Sequence, residues 1–490
     1  MGLFERAAMA VSLALTLASA GAWAEPSTTP CRVPGFAQEV RCGAVTRALD
    51  PARPEATRIS VHFVVVPALA RRKLPDPVFL LAGGPGQSAV AVAPTVAAVL
   101  GRLNQRRDLV FVDQRGTGRS APLDCPDMRH EPLTDAADPE RQIARLARCR
   151  EHLQTLPHVA GAAGLRHYTT PLAMQDLDAV RRALGAERIN LVGVSYGSRA
   201  GLDYLRQFPQ AVRRLVLDGV VPPDMTLPAS FAADAQAALD AALTGCESEP
   251  ACARTFPRLR GDFLALQARL PQTIEVADPH TGRLERLRLT REMLLGLVRG
   301  PLYLPALTAG LPAALDSASR GRFEPLVGLS ALLSSRRQTP LAMGMHFSVV
   351  CAEDVPRMPP LAAGDSPGAD LPGYYRRVCA DWPVAPMAPG FYAVVATSSP
   401  VLLLSGGADP ATPPRHGERM ATALGPRARH LVVPHAGHGL IGLGCVRDIV
   451  QRFIDADEGA AALAVDTACV GAMPRPPAYL PPAVLPVMAP

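Results

Sequence analysis

Between residues 56 and 120 the chain alternates short apolar runs with glycine-rich turns. "ATRISVHFVVVP" (56–67) alternates polar and apolar positions and then runs apolar, as an early strand would. "DPVFLLAGGPGQSA" (76–89) and "RDLVFVDQRGTGRS" (107–120) each give a short apolar run that stops in a turn. The pattern turns helical at "TTPLAMQDLDAVRRALG" (169–185), with Thr170 as N-cap, Pro171 at the first helical position and Gly185 at the end. A strand "INLVGV", a helix from Tyr196 to about Phe208 and a further strand "VRRLVLDGV" follow. Apolar strands alternating with helices predict a mostly parallel sheet covered by helices on both faces, an α/β fold.

The alternation lapses after "DGVVPPD". Residues 224–395 are mostly helical and apolar in pattern, with Pro-rich breaks, and predict an inserted, mainly helical cap. Strand patterning resumes at "SPVLLLSGGADPATPP" (399–414) and "ARHLVVPHAGHGL" (428–440), followed by the amphipathic "CVRDIVQRFIDA". The expected organisation is a core in two pieces, 25–223 and 396–473, around the cap 224–395. A Pro-rich tail, 474–490, reads as extended and loosely held.

Composition narrows the partners. Lys+Arg 50 against Asp+Glu 44 leave only +6, and no basic run exceeds "ARRK" (70–73), so nucleic acid is not an expected partner. The first 24 residues read as an export signal: "MGLFER", an apolar stretch, and the small-residue site Ala22-Trp23-Ala24, with Glu25 as the mature start. No later stretch reads as a membrane span, so a periplasmic or secreted protein without stable membrane insertion is expected. All ten cysteines follow the cleavage site, and an even number in an exported chain reads as disulfides. Neighbouring pairs are the simplest connectivity: Cys31 with Cys42, Cys125 with Cys149, Cys246 with Cys252, Cys351 with Cys379, and Cys445 with Cys469. No C-x-x-C or clustered Cys/His spacing favours a metal.

The chemistry centres on Gly193-Val194-Ser195-Tyr196-Gly197, between a strand and a helix. A serine hydroxyl is a weak nucleophile until a base takes its proton and a third group holds that base, and a G-x-S-x-G elbow presents it at the sheet's edge. In that architecture the partners follow in the order acid, then histidine. Asp409 ends the run "VLLLSGGA" and His438 lies in "HLVVPHAGHG", so they are the expected acid and base. His435 competes as base and Asp218, at the end of "LVLD", as acid. Oxyanion donors are expected from the N–H of Tyr196 and from "AGGPG" (82–86), with Gly84 or a neighbour supplying the second. Asp113, Arg115 and Ser120 in "DQRGTGRS" are expected to stabilise a loop rather than touch substrate.

"LAGGPGQSA", "DQRGTGRS", "YTTPLAMQDLDAVRRALG", "LVGVSYGSRAGLDYLRQFP", "LSGGADPATPP" and "HAGHG" together resemble the exported α/β-hydrolases of the proline iminopeptidase and tripeptidyl aminopeptidase group, over most of the mature chain. One departure is "LAGGPG", where many members have histidine before the glycines. The resemblance implies an α/β-hydrolase fold, Ser195 as nucleophile, Asp409 as acid, His438 as base and no cofactor. It also implies removal of short pieces (a single residue, proline or a tripeptide) from free peptide N-termini. Related enzymes use acidic cap residues to bind the substrate's ammonium, and "VVCAEDVP" (349–356) offers Glu353 and Asp354 for that role. The alternatives are a carboxylester hydrolase on the same machinery and, from another class, a non-catalytic peptide-binding protein.

Overall fold

The computed structural model describes residues 28–126, 132–335, 341–360 and 371–481. The expected signal segment and the last residues of the tail lie outside them. The strands in chain order are β1 (Thr29–Cys31), β2 (Val40–Ala48), β3 (Arg58–Val66), β4 (Val78–Leu81), β5 (Leu109–Val112) and β6 (Ile189–Val194), then β7 (Val212–Asp218), β8 (Gln272–Ala277), β9 (Leu284–Leu289), β10 (Val401–Gly406) and β11 (Ala428–Val433). All but β8 and β9 form one sheet, in the order β1-β2-β3-β5-β4-β6-β7-β10-β11. Strands β1, β2, β3 and β5 pair antiparallel, and every pair from β5 through β4 to β11 is parallel.

Continuous apolar runs are what a parallel sheet requires when both its faces are covered. Successive residues of a strand face opposite sides, and each parallel strand feeds two cores. Phe79, Leu81, Leu191, Leu215, Leu217 and Leu403 enter one cluster. Val78, Leu80, Val192, Val216, Leu402 and Leu404 enter the other. Strand order reverses at β4, which has β5 on one side and β6 on the other. The loops leaving β4 and β6 therefore open at a topological switch point, where sheets of this kind bind ligands.

The insertion divides differently from the expected 224–395 unit. Residues from Ala238 to Val327 share their own apolar core. That core includes an antiparallel hairpin, β8–β9, whose alternating burial follows the alternation in "TIEVADPHTGRLERLRL". Asp278 holds its turn by accepting from the N–H groups of His280 and Thr281, both at 2.8 Å. The later helices Met343–Glu353 and Leu371–Cys379 pack instead on the sheet, where Met345, Phe347, Val349, Cys351, Val378 and Trp382 join the cluster around Leu81.

The ten cysteines form the five neighbouring pairs, and none is free. The described part of the tail is docked, not loose: the Tyr479 N–H donates to the Ala309 carbonyl at 2.8 Å, and Arg475 pairs with Glu249 at 2.6 Å. Ala478 and Leu480 add apolar contact with the cap core, which a Pro-rich extended segment can do at little entropic cost. Among the described residues no helix is long and apolar enough to cross a membrane, and no cluster of three or more His, Cys, Asp or Glu could hold a metal ion.

Candidate active site

Ser195 follows the last residue of β6 and precedes the helix Tyr196–Gln207. Its backbone sits at φ 58° and ψ −125°, a region that a non-glycine residue enters only when its surroundings force it. The flanking glycines show what forces it. A Cβ on Gly193 would stand 2.3 Å from the Gly197 carbonyl oxygen, and one on Gly197 would stand 2.1 Å from the Leu81 carbonyl oxygen. Strand, turn and helix thus meet at a separation that only glycine permits. The Ser195 N–H donates to the Asp218 carbonyl at 2.7 Å, and the Ser198 hydroxyl donates to the Ser195 carbonyl at 2.6 Å.

The structure brings Asp409 and His438 together from the loops after β10 and β11. His438 Nδ1 lies 2.7 Å from Asp409 Oδ2. Asp409 is buried, and its Oδ1 accepts from the N–H groups of Ala411 (2.8 Å) and Thr412 (2.9 Å). Burial alone would raise its carboxyl, but the His438 imidazole and these N–H groups hold it below the usual value. For His438 burial works against protonation, yet the Asp409 charge and hydrogen bond, with Asp218 behind them, hold the imidazole above its ordinary 6.5. His438 must be neutral to accept a proton, so kcat/KM should fall as pH drops through a value above 6.5. Asp409→Asn should move that acid limb to lower pH while reducing kcat. A pH profile of both proteins checks the direction.

The competing residues have other places. His435 is exposed and lines a cavity of about 110 Å³ with Pro434, Gly407 and Arg475. Asp218 is fully buried, and its Oδ2 accepts from the N–H groups of Leu440 (2.6 Å) and Ile441 (2.9 Å), so it anchors the loop just beyond His438. Burial pushes its carboxyl up to about 6.

Sequence reasoning missed two neighbours of the pair. Thr412 donates its hydroxyl to Asp409 Oδ2 at 2.8 Å and stands 3.1 Å from His438 Nδ1. The Tyr303 carbonyl accepts the His438 N–H at 2.9 Å, and its ring meets the imidazole edge-on at 5.2 Å. Thr412 had a signal in "ADPAT", three residues past the acid, whereas Tyr303 reaches the site from the cap with no local signal at all. Thr412→Val removes a hydrogen bond to a charged group, worth about 1.5–3 kcal/mol. It should lower kcat about 10- to 100-fold with little change in KM, and Thr412→Ser should restore most of it.

At the oxyanion side, Gly83 rather than Gly84 lies against the nucleophile. A Cβ on Gly83 would stand 3.1 Å from Ser195 Cβ and 3.7 Å from Oγ, whereas one on Gly84 would meet Gly86, Gln87 and Leu341. The 113–120 turn behind it is internally tied. Asp113 accepts from the Ser88 hydroxyl (2.6 Å), Arg115 binds Asp176 (2.7 Å), and the Ser120 oxygen accepts the His62 N–H (2.8 Å).

Glu353 and Asp354 are not brought to an open surface, which corrects the expectation that they face a substrate ammonium. Both side chains are fully buried. Glu353 accepts from the Thr170 N–H (2.7 Å) and hydroxyl (2.9 Å), and that hydroxyl lies 2.6 Å from the Tyr196 hydroxyl. Asp354 pairs with Arg199 at 3.0 Å and accepts the Leu227 N–H at 3.0 Å. Burial outweighs Arg199 and pushes Glu353 up to about 8. The helix that ends at Glu353 packs on the sheet, so its two acids point beneath the nucleophile helix instead of over the site.

Comparison with known proteins agrees with this architecture. The α/β hydrolase fold family matches residues 76–444, and the chain belongs to that family as a serine hydrolase. It is 26% identical over 482 residues to the serine protease Hip1 of Mycobacterium tuberculosis, covering 87% of this chain and 88% of that one. It is 34% identical over 195 residues to the tripeptidyl aminopeptidase of Streptomyces lividans, covering 38% of this chain and 36% of that one. Among solved structures, the proline iminopeptidase of Mycobacterium smegmatis is similar at 18% identity and a TM-score of 0.37, covering 86% of this chain and all of that one.

Proposed function

We propose that this protein is an exported serine aminopeptidase that releases short N-terminal pieces from peptides through an acyl-enzyme on Ser195. The observation that carries the reading is the 2.7 Å contact between His438 and Asp409 on the loops after β11 and β10, together with a serine in a strained elbow after β6 of the same sheet. Nδ1 of His438 faces the carboxylate, which leaves Nε2 to take the Ser195 proton as Oγ attacks the substrate carbonyl. Asp409 fixes the ring and stabilises the imidazolium. The Tyr196 N–H and a donor from the Gly83-Gly84 turn meet the oxyanion. His438 then protonates the leaving amine and activates water to release the acyl group. The peptidase assignment is supported by the resemblance to Hip1 and the tripeptidyl aminopeptidase. Export is supported by the five disulfides and by the signal-like first 24 residues.

A second reading, a carboxylester hydrolase at the same site, is favoured by one observation: Glu353 and Asp354 are engaged internally and hold no open place for an ammonium. The experiment compares three fluorogenic substrates: a tripeptidyl amide with a free N-terminus, its N-acetyl form, and a simple ester. Cleavage of the first well above the second supports the aminopeptidase. Cleavage of the ester alone overturns it in favour of the esterase.

A further inference from the structure

A cation of the cap lies close to His438 with no carboxylate partner among the described residues. Arg299 lies on the helix Arg291–Leu302, one turn before Tyr303, whose carbonyl holds the His438 N–H. Its guanidinium lies over the Phe231 ring at 4.5 Å and over the Tyr303 ring at 5.8 Å, and it donates to the Tyr303 hydroxyl at 3.1 Å. The side chain is half-buried, and among the described residues no carboxylate lies within ion-pairing distance of it.

The aromatic groups around Arg299 tie it to the surroundings of His438 and of the nucleophile helix. Tyr303 meets the His438 ring on one side. Phe231 packs on the Val221–Met225–Leu227 cluster, and the Val221 N–H donates to the Ser198 hydroxyl one turn from the nucleophile. On the oxyanion side, Tyr375 lies 2.8 Å from His346 Nε2, and His346 Nδ1 lies 3.2 Å from the Pro85 carbonyl. The Arg299 charge reaches both flanks. At His438, after burial and against Asp409 and Asp218, it opposes protonation. At Tyr375, which burial raises foremost, it acts in the opposite sense.

We propose that Arg299 is a specificity-determining residue that binds a carboxylate of the substrate beside the Ser195–His438 pair. A guanidinium spread on aromatic faces, with one terminal N–H given to the Tyr303 hydroxyl, still has further N–H groups to offer a planar anion, and partial desolvation strengthens that contact. The proposal deepens the peptidase reading and rests on it for the identity of the substrate. The carboxylate comes either from an acidic side chain or from the free C-terminus of a short peptide.

The test measures ratios of kcat/KM within each protein, so a general loss of activity cancels. One arm compares Glu with Gln, and Asp with Asn, inside otherwise identical peptides. A second compares a C-terminal acid with its amide. A third uses a p-nitrophenyl ester with a terminal carboxylate on its acyl chain against a neutral ester of the same length. Wild type should favour the acid about 10- to 100-fold in at least one arm, the range expected of a partly buried charge pair. Arg299→Gln should bring that ratio near one, Arg299→Lys should keep part of it, and Arg299→Glu should reverse it. A wild-type ratio near one in every arm, or the same ratio in Arg299→Gln, would overturn the proposal and leave Arg299 a clamp between Phe231 and Tyr303. If the glutamine variant does not fold, the wild-type ratios and the Lys variant still decide. Acid preference in the ester arm without peptide cleavage would reject the peptidase reading and keep Arg299. Peptide cleavage without acid preference would do the reverse.

Discussion

Ser195→Ala is expected to give a folded protein with kcat reduced by about 10⁶-fold, the scale at which a serine triad fails when its nucleophile is removed. What remains comes from binding and the oxyanion donors, which alone retain about 10³–10⁴-fold over water. Thermal stability should hardly change. Alanine meets the same backbone strain at φ 58° as serine does, and the interactions that hold the turn run through the Ser195 N–H and carbonyl. His438→Ala should approach the same loss, because without its base the hydroxyl keeps its proton. His435→Ala should stay active, since that ring lines a cavity apart from the Asp409 contact. Burst kinetics and fluorophosphonate labelling read the outcome directly. An inactive His435→Ala beside an active His438→Ala would reverse the assignment of the base.

The sheet and the loops that carry Ser195, Asp409 and His438 were legible because each rests on a local rule. Buried parallel strands write continuous apolar runs, and a sharp strand-to-helix turn writes glycines around the residue it presents. β1 and β2 leave little pattern in the text: β1 is a three-residue edge strand, and β2, though nine residues long and paired on both sides, has mixed burial. The hairpin β8–β9 did leave a period-two signal, which the surrounding helical text obscured. The error over Glu353 and Asp354 has a different origin. Two adjacent acids beside a cysteine say nothing about which way they face, and that is decided by Arg199, about 150 residues earlier in the chain. Arg299 and Tyr303 were invisible for the same reason: their meaning lies in what the cap brings them against.

The second large effect is on stability. Arg199→Met should destabilise the protein by about 3–5 kcal/mol, the cost typical of removing one member of a buried ion pair. Methionine fills much the same space, so the loss is electrostatic more than steric. Arg199 has no exposed side-chain surface; it pairs with Asp354 at 3.0 Å, lies 3.9 Å from Glu353 and donates to the Met225 carbonyl. Without it Asp354 keeps the Leu227 N–H and the longer-range charge of Arg357 but loses its ion-pair partner. Both acids are already raised by burial against the pull of Arg199, so its removal raises them further. An acid whose folded-state pKa lies above its unfolded value takes up protons on folding, so its contribution to stability is greatest at low pH and is lost as pH rises through the folded value. The gap between variant and wild type should therefore be widest near pH 8 and narrow toward pH 5. Adding Asp354→Asn should recover most of the loss at pH 8, because the stranded charge is then gone. Denaturant titrations of the three proteins at both pH values test this. A loss that does not vary with pH and is not rescued by Asp354→Asn would mean that Arg199 acts through packing. In that case the knot beneath the nucleophile helix would hold the elbow by shape and not by charge.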